Sequence, residues 1–219
     1  MDKILAIWND VYSFLREKWL YFAIGAGVIV IVIGVWVVLK LVESAEEASL
    51  KTKFDTAYFL YLNSSANKQN VEQSFQNFFS TLIEISDTKK NYKIVNIADI
   101  ILGDIYFNEG KSYETALSYY SRATNSSSEF LRVVAIFNVA QTYETIGKVN
   151  EAIDNYRVII DRYPNSFLAP ISVIRSAQIY NYIGDVQKAK EMYSLMTNRY
   201  SDSFSVVISD LLDLVINQR

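Results

Sequence analysis

Carboxylates are the side chains of this chain best placed to do chemistry. Asp99 and Asp104, Glu109 and Glu114, and Asp210 and Asp213 lie close together in sequence as pairs. Two carboxylates can divide acid and base work when a pocket separates their pKa values. The chain gives them little to work with, because it contains no Cys and no His. That removes thiol catalysis, disulfides, Cys/His zinc sites and imidazole acid–base chemistry together. Its glycines stand singly, so no glycine-rich loop can cradle a phosphate. On amphipathic helices such carboxylate pairs read as ordinary solvated charges. The sequence therefore predicts no enzyme, no cofactor, no metal site and no small-molecule substrate.

The elements that carry these residues are helical. Only seven Gly and two Pro interrupt 219 residues that are 51% hydrophobic, which predicts an all-α chain of long helices and short turns. The formal net charge is −3. Residues 1–42 carry four basic and three acidic side chains, and the remainder 17 basic and 21 acidic. A mildly acidic domain without a Lys/Arg block is a poor partner for nucleic acid.

Residues 19–39, WLYFAIGAGVIVIVIGVWVVL, contain no charged or amide side chain. As a helix they would reach about 31 Å, close to the ~30 Å hydrocarbon core of a bilayer. Thirteen of the 21 are Leu, Ile, Val or Phe, favouring insertion by roughly 4–8 kcal/mol. Lys18 and Lys40 bracket the run, and Trp19, Tyr21 and Trp36 sit towards its ends, where amphipathic rings prefer the interface. The sequence predicts a transmembrane helix over 19–40, an uncleaved signal anchor. A cleaved secretory signal is the alternative, but the apolar run is longer than the usual ~7–15 residues.

The lead, residues 1–18, spaces Ile4, Trp8, Val11 and Leu15 along one helical face. It reads as an amphipathic helix at the membrane surface, or as a docking helix for another membrane protein. Flanking charge does not fix orientation: Lys3, Arg16 and Lys18 on one side balance Lys40, Lys51 and Lys53 on the other.

Residues 43–92 predict a helical hairpin. Leu50, Phe54, Ala57, Tyr58 and Tyr61 mark the first helix, which no Gly or Pro separates from the apolar run. NSSANKQN at 63–70 is a turn by composition, and Val71, Phe75, Phe78, Phe79 and Leu82 mark the second helix.

From residue 93 to 201 the chain repeats itself. Ala116, Ala152 and Ala189 recur at intervals of 36 and 37, and so do Tyr120, Tyr156 and Tyr193. Gly103, Ala140 and Ala177 recur at 37 and 37, each followed three residues later by Tyr106, Tyr143 or Tyr180. Gly110, Gly147 and Gly184 mark turns, with one extra residue after Gly110, and Pro164 ends a helix. The loop NSSS at 125–128 reads as exposed, with Ser126 an accessible position for a single labelling cysteine.

This pattern resembles the tetratricopeptide repeat. The resemblance implies an all-α solenoid of three antiparallel helical pairs over 93–201. The hairpin would be a degenerate first unit, with Ser74, Phe78 and Thr81 in second-helix positions, or simply two amphipathic helices. Residues 202–219, with Phe204, Val207, Ile208, Leu211, Leu212 and Val215 on one face, read as the capping helix that closes a solenoid.

In this repeat family the first helices of successive units line a groove that holds a partner polypeptide. Carrying those positions over gives Ile97, Ile100, Asp104, Phe107 and Asn108 from the first unit. The second gives Val134, Phe137, Gln141, Glu144 and Thr145, and the third Ile171, Ile174, Gln178, Asn181 and Tyr182. The set is apolar and amide-rich, with two acids and no Lys or Arg. It suits an apolar helix or a partly unfolded segment better than a carboxylate clamped by basic residues. The alternative for each apolar member is packing against the next unit.

The layout as a whole, FLREKWLYFAIGAGVIVIVIGVW followed by SAEEASLKTKFDTAYFL and the repeats, resembles the YfgM-type ancillary subunits of the bacterial Sec translocon. That resemblance implies an inner-membrane protein with a cytoplasmic N-terminus and a periplasmic repeat domain. It implies as partners the translocon subunits, an envelope chaperone or a client polypeptide. The alternative is a membrane-tethered scaffold for another cell-envelope complex of the outer-membrane assembly or division type. The YP-like helix ends DRYP and NRYS resemble those proteins.

Overall fold

The computed structural model describes residues 2–201, with side chains of the first helix described at Tyr12, Lys18 and from Val28 onward. Eight α-helices and no strand are found among the described residues. The capping segment expected at 202–219 lies outside them, as does the Asp210 and Asp213 pair. The chain divides into two compact units at Ser49 and Leu50.

Helix α1 runs from Asp2 to Asn67. Within the first unit its described side chains from Val28 to Val42 are all exposed. A helix with no buried face and no polar stripe has no protein core to join. Its part from Val28 onward is long and apolar enough to cross a membrane. Where polar residues resume, Lys40 pairs with Glu43 at 2.7 Å.

The second unit opens with a hairpin between the end of α1 and α2 (Val71–Asp87). Its connection turns through left-handed residues at Lys68 (φ 54°) and Asn70 (φ 51°). Rings fill the hairpin. Tyr61 stacks on Phe78 with centroids 5.7 Å apart, and Phe54 meets Phe78 edge-on at 5.8 Å. Leu50, Phe78, Leu82 and Ile85 continue this core into Ile94, Val95, Ala98 and Leu102 of α3.

Six helices follow as three pairs: α3 (Lys93–Asn108) with α4 (Tyr113–Ala123), α5 (Glu129–Thr145) with α6 (Val149–Arg162), and α7 (Leu168–Tyr182) with α8 (Val186–Arg199). Each pair packs on the next through α4 on α5 and α6 on α7, and the first helices touch, α3 on α5 and α5 on α7. The recurring small residues explain the close pairing. Ala116 and Ala152 are 0% exposed and Ala189 1%. At Gly103 even a methyl group would overlap the Tyr120 ring.

Gly147 (φ 76°) and Gly184 (φ 80°) take the left-handed conformation at the turns within the second and third pairs. Gly110 does not. The extra residue in that unit moves the turn by one, and Lys111 takes the left-handed position instead (φ 46°).

Three further expectations change here. Residues 63–67, expected in a turn, continue α1 as helix, and the turn is confined to 68–70. Asp99 is not a solvated charge: it is 2% exposed. Its Oδ1 accepts from the Ser86 hydroxyl at 2.6 Å and lies 3.1 Å from the Arg122 guanidinium. Arg122 also donates to the Ser86 carbonyl, so one side chain of α4 ties the end of α2 to α3. Ser126, read as an accessible loop residue, is fully buried. Its carbonyl accepts from Arg132 Nε at 2.9 Å and from a second guanidinium nitrogen at 2.8 Å, which folds the loop inward. Ser127 beside it is exposed.

Candidate functional site

On the face shared by α3, α5 and α7, four of the groove positions read from sequence line one pocket. A pocket of about 250 Å³ brings Asp104, Phe107 and Asn108 of α3 together with Gln141 of α5. The walls are completed by Tyr120 of α4 and by Asn138 and Thr142 of α5. Glu144 stands one turn further along α5, on the same side as Gln141, because residues three apart share a helical face.

The recurring tyrosines reach this face from behind. Tyr120 is buried, yet its hydroxyl donates to Asp104 Oδ1 at 2.7 Å. Tyr156 repeats the arrangement, donating to Glu144 Oε2 at 2.8 Å. In the third pair Asn181 donates its amide to the Tyr193 hydroxyl at 3.1 Å. A residue of the following first helix then adds to each acid. Asn138 donates to Asp104 Oδ1 at 3.3 Å, and the Arg175 guanidinium lies 3.7 Å from Glu144 Oε1. Burial raises the Asp104 carboxyl above its ordinary value, against the opposing Tyr120 hydrogen bond. Burial also pushes both tyrosine hydroxyls well above their ordinary range, helped by the carboxylate each one faces. Each acid thus holds a buried tyrosine hydroxyl by a hydrogen bond.

The remaining positions differ in exposure. Tyr182 is 86% exposed, Asn108 and Thr145 are exposed, and Ile171 is 37% exposed. Ile97, Asp104, Phe107, Val134, Gln141, Glu144, Gln178 and Asn181 are half-buried. Ile100, Phe137 and Ile174 are buried. Phe137 packs edge-on against Tyr156, with ring centroids 5.5 Å apart. Ile97, Ile100, Val134, Phe137, Glu144 and Tyr182 stand on α3, α5 and α7 but do not line the small pocket.

Sequence reasoning missed four residues here. Arg175 brings a cation beside a groove read as lacking one, and Asn138 occupies the same place one unit earlier, 37 residues before it. Phe130 and Phe167, also 37 apart, are exposed and stack on each other at 5.6 Å at the start of α5 and α7. The repeat interval was the signal in both cases. Following every residue at that spacing, and not only the small and aromatic core positions, would have found them.

A family model described as tetratricopeptide repeat matches residues 134–166, which cover most of α5, all of α6 and the turn that follows. No curated protein matches the chain. The chain carries a tetratricopeptide repeat within an all-α array of helical pairs, preceded by one long apolar helix.

Proposed function

We propose that this chain is a membrane-anchored interaction module whose α3, α5 and α7 face holds an apolar or partly unfolded polypeptide segment. The tetratricopeptide match over 134–166 carries the reading, since such repeats are in general non-catalytic interaction modules. The chemistry of the face agrees with it. Amides and half-buried apolar side chains dominate, and the acids already have partners. The layout of the whole chain supports a finer reading, an inner-membrane accessory of the Sec translocon with the repeats in the periplasm.

Tyr182 offers the test of the partner, because it is 86% exposed and no core depends on it. Replaced by a photoreactive phenylalanine derivative and irradiated in intact cells, it is expected to form adducts with translocon subunits or an envelope chaperone. Adducts confined to outer-membrane assembly or division proteins would move the protein to the scaffold reading. No polypeptide adduct from Tyr182, Asn108 or Gln141 would end the claim on this face.

Orientation has its own test, which the absence of cysteine makes clean. Ser127→Cys, at the exposed neighbour of buried Ser126, is expected to label in intact cells with a thiol reagent that enters the periplasm but not the cytoplasm. Labelling only after lysis would place the repeats in the cytoplasm and remove the translocon reading.

A further inference from the structure

We infer that the α1–α2 hairpin carries a second binding groove, for an extended, uncharged polypeptide segment read through its backbone. The groove has a volume of about 780 Å³ and runs from Thr52 and Glu84 to the turn at Asn67–Asn70. That is within the usual range of a ligand site, roughly 300–1,000 Å³.

Its origin lies in where the hairpin puts its bulk. Phe54, Tyr58 and Tyr61 of α1 wedge against Phe75 and Phe78 of α2 along one edge. On the groove edge stand Ala57 and Ser64, facing Ser74 and Thr81. With rings on one edge and small side chains on the other, the groove lies along the side of the hairpin that the rings leave unfilled. The later pairs close instead around Ala116, Ala152 and Ala189.

The lining selects the occupant. Six side-chain amides and five hydroxyls face the groove, with Ala57 and Leu60 as its apolar members. Its two charged residues, Lys53 and Glu84, pair with each other. A charged ligand would thus find no unpaired opposite charge among the lining residues. Each amide presents both a donor and an acceptor, which matches a ligand offering both at regular intervals. The polypeptide backbone does so, and strand-like peptides bind through such main-chain hydrogen bonds.

The spacing agrees. Asn63 and Asn67 on α1, and Gln73 and Asn77 on α2, lie four residues apart, or about 6 Å along a helix. Backbone groups on one side of an extended chain recur every ~6.7 Å. Asn63 accepts from Asn67 at 3.1 Å and Asn77 from Gln73 at 3.2 Å, which holds the four amides in place before any ligand arrives.

The test uses the full chain in detergent micelles and a fluorescent, end-blocked, uncharged decapeptide of Ser, Ala and Thr. Saturable binding is expected. Asn63→Ala with Asn77→Ala should weaken it at least ten-fold without loss of helicity, since both residues are exposed. Methylating alternate backbone nitrogens of the peptide should weaken it as much, because side chains stay and donors go. Tyr182→Ala should leave it unchanged. Absence of binding, indifference to the double substitution or to N-methylation, or equal loss on Tyr182→Ala would overturn the inference. So would chitotetraose binding in the peptide's place with the same sensitivity to the double substitution, which would make the groove a glycan site.

Discussion

Replacing Arg122 with alanine is expected to destabilise the repeat region by about 3–5 kcal/mol at pH 7, and by about 1 kcal/mol less at pH 5. The magnitude follows from what stays behind. Asp99 has a side chain 3% exposed, and Arg122 is the cation that accompanies it. Without Arg122 a buried carboxylate keeps only the Ser86 hydroxyl, and the Ser86 carbonyl loses its guanidinium donor. The pH dependence follows from the carboxyl itself. Burial lifts Asp99 from 3.8 to about 6, although Ser86 and Arg122 both pull it down.

A carboxyl whose folded pKa lies above its unfolded one stabilises the fold in its protonated form. The contribution is complete below pH 3.8 and is lost as pH rises through about 6. At 1.36 kcal/mol per pKa unit it amounts to about 3 kcal/mol. At pH 5 most of the folded population already carries a neutral Asp99, which needs no cation. Urea titrations at pH 7 and pH 5, followed by far-ultraviolet circular dichroism, give the measurement. Asp99→Asn should flatten the pH dependence between 4 and 7 that this residue causes. Equal losses for Arg122→Ala at both pH values would show that Arg122 matters through packing against Tyr119, whose ring lies 5.5 Å away, and not through the charge.

Asp99 also shows where sequence reading stops. The helical pairs were legible because a solenoid is nearly one-dimensional. Each unit meets the same neighbours, so the packing requirement returns with the interval and leaves Ala116, Ala152 and Ala189 as its trace. The left-handed turns at Gly147 and Gly184 were legible for the same reason, and the shift from Gly110 to Lys111 followed from the one residue that breaks the interval. Asp99 obeys no interval. It lies in α3, which packs on α2, α4 and α5 and so buries residues on nearly every face, from Ile94 and Asn96 to Leu102 and Gly103. Its partners are Ser86 and Arg122, which no local spacing connects to it. Ser126 misled for a related reason: a serine-rich turn is polar by composition, and only Arg132 folding back on it makes it interior. On the α3, α5 and α7 face, position could be read from the repeat, but exposure could not. Phe137 and Tyr182 both carry a ring at a first-helix position, and one packs on Tyr156 while the other stands in solvent.

Phe78→Ala is expected to cost about 3–5 kcal/mol, and to spend that loss locally. Phe78 is 4% exposed and meets the rings of Phe54, Tyr58 and Tyr61, so its removal leaves a cavity that these three aromatics cannot close without leaving their own contacts. The hairpin joins the array through α2 on α3. In a chain of nearest-neighbour interfaces, an end unit can open while the others stay closed. Phe137→Ala removes a ring of similar size from the middle of the array. It belongs to a core shared by α5, α6, α7 and α8, so the same loss is felt in both of these pairs. Hydrogen exchange distinguishes the two. Phe78→Ala should speed exchange over residues 50–87 and leave α7 and α8 protected, whereas Phe137→Ala should speed it across α5 to α8. If Phe78→Ala opened α7 and α8 as readily as α2, the array would be one cooperative block. The groove in the hairpin could then not be perturbed without disturbing the α3, α5 and α7 face.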